Sequence, residues 1–399
     1  MKRLTLLLLG LALGVSATAG AQGLTMQMSN GWSFSFSGNV NVFWVFTKGT
    51  NSGPTNSSIR TGLLPAFATF EARGKEAGLN LGVHFGFAPQ IQNAGVHDNF
   101  GVGTQAGAQI DMRQVYLTVG FKDGSQILAG RELGLFGRQN ILNDMTLFGV
   151  GAVGIGAPGS GTGAQGGGTT LGRIGYGYIY PNFNPQVTYS TKPGQAQLSI
   201  GLFQPNTLGS GGYVFTKIPR VEAEFSYNQK SGKNNYSFWV GGLWQSTSNA
   251  LTGGNTLSSV GGTAGVKAGM SDLSIVVSAY IGSGLSNVLM FSGQEVAPSG
   301  TDARKSDGGY AQLMYKVGPK TNIGASWGFS RLKNASAGET VGSGGNDAVR
   351  TQWTLATIGV YHQWTKSLKL VFEGSREQEG IGAAAPAQID ISGGFMLFF

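Results

Sequence analysis

Apolar and polar positions alternate with a period of two along most of this chain, from Trp32 to the last residue. In the first such segment Phe34, Phe36, Val40, Val42, Trp44 and Phe46 fall on one face, and Ser33, Ser35, Ser37, Asn39 and Asn41 fall on the other. The same division sets Leu79, Leu81, Val83, Phe85 and Phe87 against Asn80, Gly82, His84 and Gly86. Val221, Ala223, Phe225 and Tyr227 oppose Arg220, Glu222, Glu224 and Ser226, and Ile323, Ala325, Trp327 and Phe329 oppose Asn322, Gly324, Ser326 and Gly328. The last segment runs from Ile389 to Phe399, with Ile389, Ile391, Phe395, Leu397 and Phe399 on the apolar face. Period two is the signature of a strand. A bulky apolar face opposite a polar one fits a wall between lipid and a polar lumen, and a one-residue slip would carry arginine into lipid.

The connections between these segments alternate short and long. Short ones are predicted at 74–78, 122–125, 192–195, 229–234, 269–272, 318–320 and 365–367, each of hairpin length. Longer polar stretches fall at 47–62, 89–111, 134–172, 205–217, 247–257, 283–308, 332–349 and 377–388. Seven short and eight long connections join sixteen strands. The predicted fold is therefore all-β, a transmembrane antiparallel up-and-down barrel with short periplasmic turns and long external loops. The count treats Arg173 to Thr191 as one strand crossing Pro181 to Pro185; a turn there would make it seventeen or eighteen. Residues 149–170, rich in Gly, Ala, Ser and Thr, read either as flexible linker or as a loop folded into the barrel and narrowing it.

Composition supports export and membrane residence. Lys2 and Arg3 precede an apolar run from Leu4 to Val15 that ends in Ala19-Gly20-Ala21, the pattern of a secretory signal peptide. The run is shorter than the roughly 20 residues of a spanning helix. Residues 1–21 are thus expected to be the signal peptide, and 22–399 the barrel domain. No later run is long and apolar enough for a helical span, so membrane residence must use strands, whose backbone groups a closed barrel satisfies. Sixty-eight glycines and 12% charged residues suit many turns and a mostly uncharged lining. The chain has no cysteine, hence neither disulfide nor thiolate metal site. Without Lys2 and Arg3 there are 25 basic against 19 acidic side chains, too mild an excess and too scattered for nucleic-acid binding.

Several ordered motifs resemble the general bacterial porins, the trimeric sixteen-stranded diffusion channels of Gram-negative outer membranes. Arg113 to Phe121, a turn, and then Leu128 to Arg131 resemble the family's Arg-x-x-Tyr strand and Gly-Arg segment ahead of the constriction loop. Phe70 to Gly74 and Gly172 to Tyr176 resemble two further family segments, each carrying an arginine. Ser392, Gly394, Leu397 and the terminal Phe399 resemble the signal read by the outer-membrane barrel assembly machinery. The resemblance implies a basic pore wall of Arg73, Arg131 and Arg173, with Arg113 a fourth, facing Asp144 on a long third loop folded into the lumen. Glu71 lies two residues before Arg73 on the same face and can neutralise it. Asp144 is the one carboxylate in 134–172, so the expected constriction is net positive and prefers anions. The structural alternative for each arginine is a salt bridge within the lumen or a cation snorkelling to the interface. The implied protein is a homotrimer in outer-membrane lipid and lipopolysaccharide, passing small hydrophilic solutes and ions without a cofactor.

Other readings carry less. An outer-membrane barrel enzyme would draw on His84, His97 or His362, but none sits in a nucleophile motif, and they are too scattered for a metal site. Gly149 to Gly154 matches a dinucleotide fingerprint without its strand-helix context. Trp44, Phe46, Tyr227, Tyr236, Trp244 and Trp364 lie near strand ends, as an interfacial girdle or through strand propensity alone. A substrate-specific channel needs aromatic rails along the lumen, whereas most aromatics here have lipid-facing parity. An adhesive barrel is distinguished by whether the protein conducts ions.

Overall fold

A computed structural model describes residues 23–50, 53, 55–92, 110–155, 169–209, 212–249, 254–286, 293–297, 300, 302–335, 339, 348–381 and 385–399. The expected signal peptide and His97 lie outside the described residues. Nineteen strands form a single sheet: β1 (Leu24–Gln27), β2 (Ser33–Gly49), β3 (Thr55–Arg60), β4 (Phe67–Glu76), β5 (Leu79–Pro89), β6 (Ile110–Gly120), β7 (Gln126–Leu133), β8 (Phe183–Ser190), β9 (Ala196–Phe203), β10 (Tyr213–Phe215), β11 (Arg220–Ser231), β12 (Asn234–Asn249), β13 (Thr256–Met270), β14 (Leu273–Ser283), β15 (Lys305–Val317), β16 (Thr321–Lys333), β17 (Val349–Gln363), β18 (Leu368–Glu379) and β19 (Ala387–Phe398).

These segments make a closed sixteen-stranded antiparallel barrel. β3 and β4 both pair with β2 and form one stave, and β10 and β11 both pair with β12 and form another. β19 closes the ring against β2, from Gln388 opposite Gly49 to Phe398 opposite Asn39. Phe399 extends this ladder by exchanging backbone hydrogen bonds with Gly38 at 2.9 and 3.0 Å. Below it β1 pairs with Ser33 to Phe36 on the same edge of β2, so it continues the line of β19. Closure matters because an open sheet edge in lipid would strand a row of backbone donors and acceptors.

The two faces follow the alternation. Val40, Trp44, Leu117, Val187, Ile200, Val266, Trp327, Ile358, Phe372 and Phe395 stand exposed on the outside, while Asn41, His84, Gln114, Glu222, Ser259, Thr357 and Asp390 are buried inside. All seven predicted short connections are present as turns.

Three details differ from the sequence expectation. The strand predicted from Arg173 begins only at Phe183, because residues 173–182 belong to the third loop; the count of sixteen stands since one stave still occupies this place. Phe398, a bulky apolar residue at a polar position of the last alternating segment, points inward and meets Phe148 of that loop edge-on at 6.2 Å. Nor is the inner face uniformly polar. Phe43, Val45, Trp239, Val276, Tyr310, Tyr361, Val371 and Met396 face inward and form one apolar core with loop residues including Met145, Leu147, Val150 and Tyr178. A lumen face becomes apolar where another layer of chain, and not water, covers it.

Closure leaves no room for a side chain at Gly394, where a Cβ would come within 2.2 Å of the Val42 carbonyl and 2.5 Å of the Phe43 ring. Gly394→Val is expected to abolish barrel closure. Unheated gel electrophoresis should then lose the compact, heat-modifiable band that the wild-type protein gives.

Candidate pore and its constriction

The third loop, residues 134–182, leaves the wall at the end of β7 and enters the lumen. Gly137 starts a short helix, α1 (Arg138–Leu142), with φ 83°, a conformation that glycine adopts without strain. Asp144 then caps the single turn Met145–Phe148, accepting from the Thr146 backbone at 3.0 Å and its hydroxyl at 2.7 Å. The Asp144 carboxylate also accepts from the Tyr178 hydroxyl at 2.9 Å, which ties the outgoing limb of the loop to the returning one.

Wall side chains hold this loop along a continuous arc of strands. Glu222 of β11 accepts from the backbone of Leu135 and Phe136 at 2.8 and 2.9 Å, and Glu224 pairs with Arg138 at 2.6 Å. Asn140 is gripped by Trp239, Thr263, Ser278 and Tyr310, and Gln312 accepts from the Met145 backbone at 2.6 Å. On the far side Glu373 of β18 accepts from Val150 and Gly151 at 2.7 and 2.8 Å, and Glu377 from Gly154 at 3.2 Å. Glycine at 149 is required for this approach, since a Cβ there would sit 2.0 Å from the Glu373 carboxylate. Residues 149–155 and 169–172 are thus largely buried and hydrogen-bonded, not linker; the centre of the glycine-rich stretch lies outside the described residues.

The expected pore residues separate into three groups. Arg173 and Asp144 lie 4.0 Å apart with side chains fully buried under the loop, where Arg173 donates to the Leu355 carbonyl at 3.0 Å and to Ser326. Arg173 is a residue of the loop, not of the wall. Arg131 faces outward, because it pairs with Val115 and Pro185 on the outer face, and its Nη1 donates to the Phe183 carbonyl at 2.5 Å. Its parity was readable from Ile127 and Ala129, yet the motif match placed it in the lumen. Arg73, Glu71 and Arg113 do face the lumen.

Arg73 and Glu71 belong to a polar chain that climbs the wall left bare by the loop, and Arg113 stands apart from it. Arg73 pairs with Glu71 at 2.9 Å, and the other Glu71 oxygen meets His84 Nδ1 at 2.9 Å. His84 Nε2 lies 3.3 Å from Gln114, which donates to Glu132 at 2.7 Å. His84 stacks on Tyr116 at 4.6 Å, so its ring is fixed by bonding and by packing. His362 bonds Thr321 at a strand end and takes no part in this chain.

Beside this chain the loop leaves two cavities. One of about 490 Å³ is lined by Glu71, Arg73, His84, Tyr116, Thr188 and Arg138 toward the short turns. A second, of about 120 Å³, lies between the loop, β6 and the inward kink joining β3 to β4. Glu132 and Leu133 line both, so the two cavities meet the wall at the same place. Sequence reasoning missed Gln114, Glu132 and the kink at Leu63 and Leu64. The visible signal for the kink was Pro65 after an unalternating Gly62-Leu63-Leu64.

A closed sixteen-stranded barrel with its third loop folded inside is the architecture of outer-membrane porins. Among solved structures the chain is similar to the outer membrane channel DcaP of Acinetobacter baumannii, at 14% identity and a TM-score of 0.64, covering 94% of this chain and 99% of that one. It is similar to an anion-selective porin from Comamonas acidovorans, at 13% identity and a TM-score of 0.62 over 92% and 100% of the two chains. Salmonella typhi OmpF, solved with daunomycin, gives 11% identity and a TM-score of 0.56 over 94% and 100%. At these identities the likeness is one of fold. No protein-family model and no curated protein sequence matches the chain.

Each backbone hydrogen bond to a charged acceptor contributes about 1.5–3 kcal/mol. Glu222→Ala removes two from the loop's entry. The amides of Leu135 and Phe136 are expected to exchange with deuterium at least tenfold faster, read by mass spectrometry, while the β12–β18 amides keep their rates.

Proposed function

We propose that this protein is an outer-membrane channel through which small hydrophilic solutes and ions diffuse down their gradients. The observation that carries this reading is the incomplete filling of the barrel. The loop is fastened to the arc from β11 to β18, and the wall from β4 to β8 keeps a charged, cavity-lined face. No energy source, cofactor or covalent chemistry enters such a mechanism, and we read the protein as a non-enzyme. A solute loses water, meets fixed charges and polar groups in a low-dielectric channel, and leaves.

Residues 1–21 act in this reading as the cleaved export signal, and 22–399 as the barrel inserted in the outer membrane among lipid and lipopolysaccharide. Ser392, Gly394, Leu397 and Phe399 serve as the signal for the barrel assembly machinery. The working unit is a homotrimer. Arg131 supports this, because six residues above the turn, on strands tilted by about 40°, is a rise of roughly 15 Å. A cation facing lipid at that depth costs about 2–4 kcal/mol, and a neighbouring subunit would cover it.

Anion preference belongs to the same reading, on different residues from those the motifs suggest. In net charge Arg73 and Arg113 are balanced by Glu71 and Asp111, although Arg113 keeps one donor group unpaired among the described residues. Lys267 and Lys369 face the lumen and have no carboxylate partner among the described residues: Lys267 donates to Asn143 at 3.2 Å, and the Lys369 ammonium lies 3.7 Å from the Phe148 ring centre. The similar Comamonas porin is itself anion-selective.

Purified protein in a planar bilayer is expected to give stepwise conductance, and absence of any current from folded protein would sink the channel reading. In a salt gradient the reversal potential should take the sign of anion selectivity. Lys267→Glu combined with Lys369→Glu should move it toward cations.

A further inference from the structure

The smaller cavity has a lining unlike that of a passage for hydrophilic solutes. Leu63, Phe67, Leu133, Ile141, Leu147 and Ile174 surround it, and its polar groups stand apart from one another. Arg113 and Gln114 come from β6, and Glu132 from β7 also lines the larger cavity. A bulge in the β5–β6 pairing, between Gly86 and Phe87, gives Arg113 its place, because the extra residue re-aims a side chain.

Arg113 is held but not saturated. Its Nε donates to Asp111 at 2.9 Å, its Nη1 to the Tyr180 hydroxyl at 3.3 Å, and its guanidinium packs 5.7 Å from the centre of the Phe183 ring. Nη2 has no hydrogen-bond partner among the described residues. Three contacts therefore fix the orientation of a planar fork and leave one edge for a ligand acceptor. At the other end both Glu132 oxygens are occupied, by Gln114 and by the Leu133 backbone at 2.8 Å, and offer no donor to a guest's head. The cationic fork at one end and the apolar lining at the other orient an anionic guest with its head toward Arg113 and its apolar body toward Leu133 and Leu147.

We propose that this cavity is a binding site for small amphipathic monocarboxylates with one ring or a short branched alkyl body; the proposal rests on the channel reading and names a substrate class for it. Size sets the upper bound. An apolar cavity of roughly 150 Å³ lined by Leu, Ile and Phe takes up benzene, and the site here is about 120 Å³. Burial of the ring supplies the attraction, at about 25 cal/mol per Å² of apolar surface, and Arg113 selects the charge. A channel needs such a site to be weak enough to release its guest.

The probes are benzoate, benzyl alcohol and acetate, titrated calorimetrically into the full, detergent-solubilised barrel, with benzoate also tested as a blocker of single-channel current. Benzoate is expected to bind in the millimolar range, with acetate, which lacks the ring, and benzyl alcohol, which lacks the charge, at least tenfold weaker. Arg113→Gln should weaken benzoate at least tenfold and leave benzyl alcohol unchanged, and Arg113→Lys should recover part of the loss. Heat-modifiable mobility reports folding of each variant. Equal affinity for the three probes, or benzoate binding indifferent to Arg113→Gln, overturns the site. Benzoate binding without any channel current keeps the site and overturns the channel reading; current without benzoate binding does the reverse.

Discussion

Carboxylates of the barrel wall accepting backbone N–H groups of the third loop are the constraint on which the interior depends. Glu222 takes two such donors where the loop enters, and Glu373 takes two where it begins to return. A loop inside a barrel has lost the water that would otherwise satisfy its backbone, so each donor needs a protein acceptor. A carboxylate suits this task because its two oxygens bind several donors at once and bond more strongly than a neutral group. The strands set the spacing between acceptors, and the loop takes its path from them.

Anchoring and apolar packing then divide the lumen into two unlike halves. From β11 to β18 the inward residues include Trp239, Val276, Tyr310, Tyr361 and Val371, all covered by the loop. From β4 to β8 a polar chain runs inward from Arg73 through His84 to Glu132, and only Phe67, Ala88 and Leu133 of these strands are buried members of the apolar core. The first half is packed as a protein core and the second keeps a polar, cavity-lined face, although both belong to one sheet with one alternation. Glu132 and Leu133 lie at the seam, where both cavities border them.

Much of this was legible from the sequence, and for a local reason. Alternation, hairpin turns and a terminal aromatic strand are properties of neighbouring residues, and they give sixteen staves and the β19–β2 closure directly. Alternation alone passes over one further signal: Phe43 and Val45 make Val42 to Phe46 apolar on both faces. A strand apolar on both faces is covered on both, which implied an inner layer near the outer end of β2. What local pattern does not specify is which wall residue a distant loop will reach. Glu373 and Gly151 are 222 positions apart in sequence, and nothing near either predicts the bond. Arg173 shows the same gap, since its motif match gave its place in the chain but not the fully buried position in which it ends.

Burial also decides which charges a solute can feel. Arg173 and Asp144 lie under the loop with their side chains sealed from solvent, so their fields are spent on each other and on Leu355 and Ser326. Arg131 faces away from the lumen altogether. An arginine acts on a permeating ion only if one of its donors meets the path while the rest of the group is held still. Arg113 is held by Asp111, Tyr180 and Phe183 and borders the smaller cavity, which is the geometry on which the proposed carboxylate site rests. Charge selectivity in a narrow channel is thus a property of partly satisfied cations, and a fully paired arginine contributes to the architecture instead.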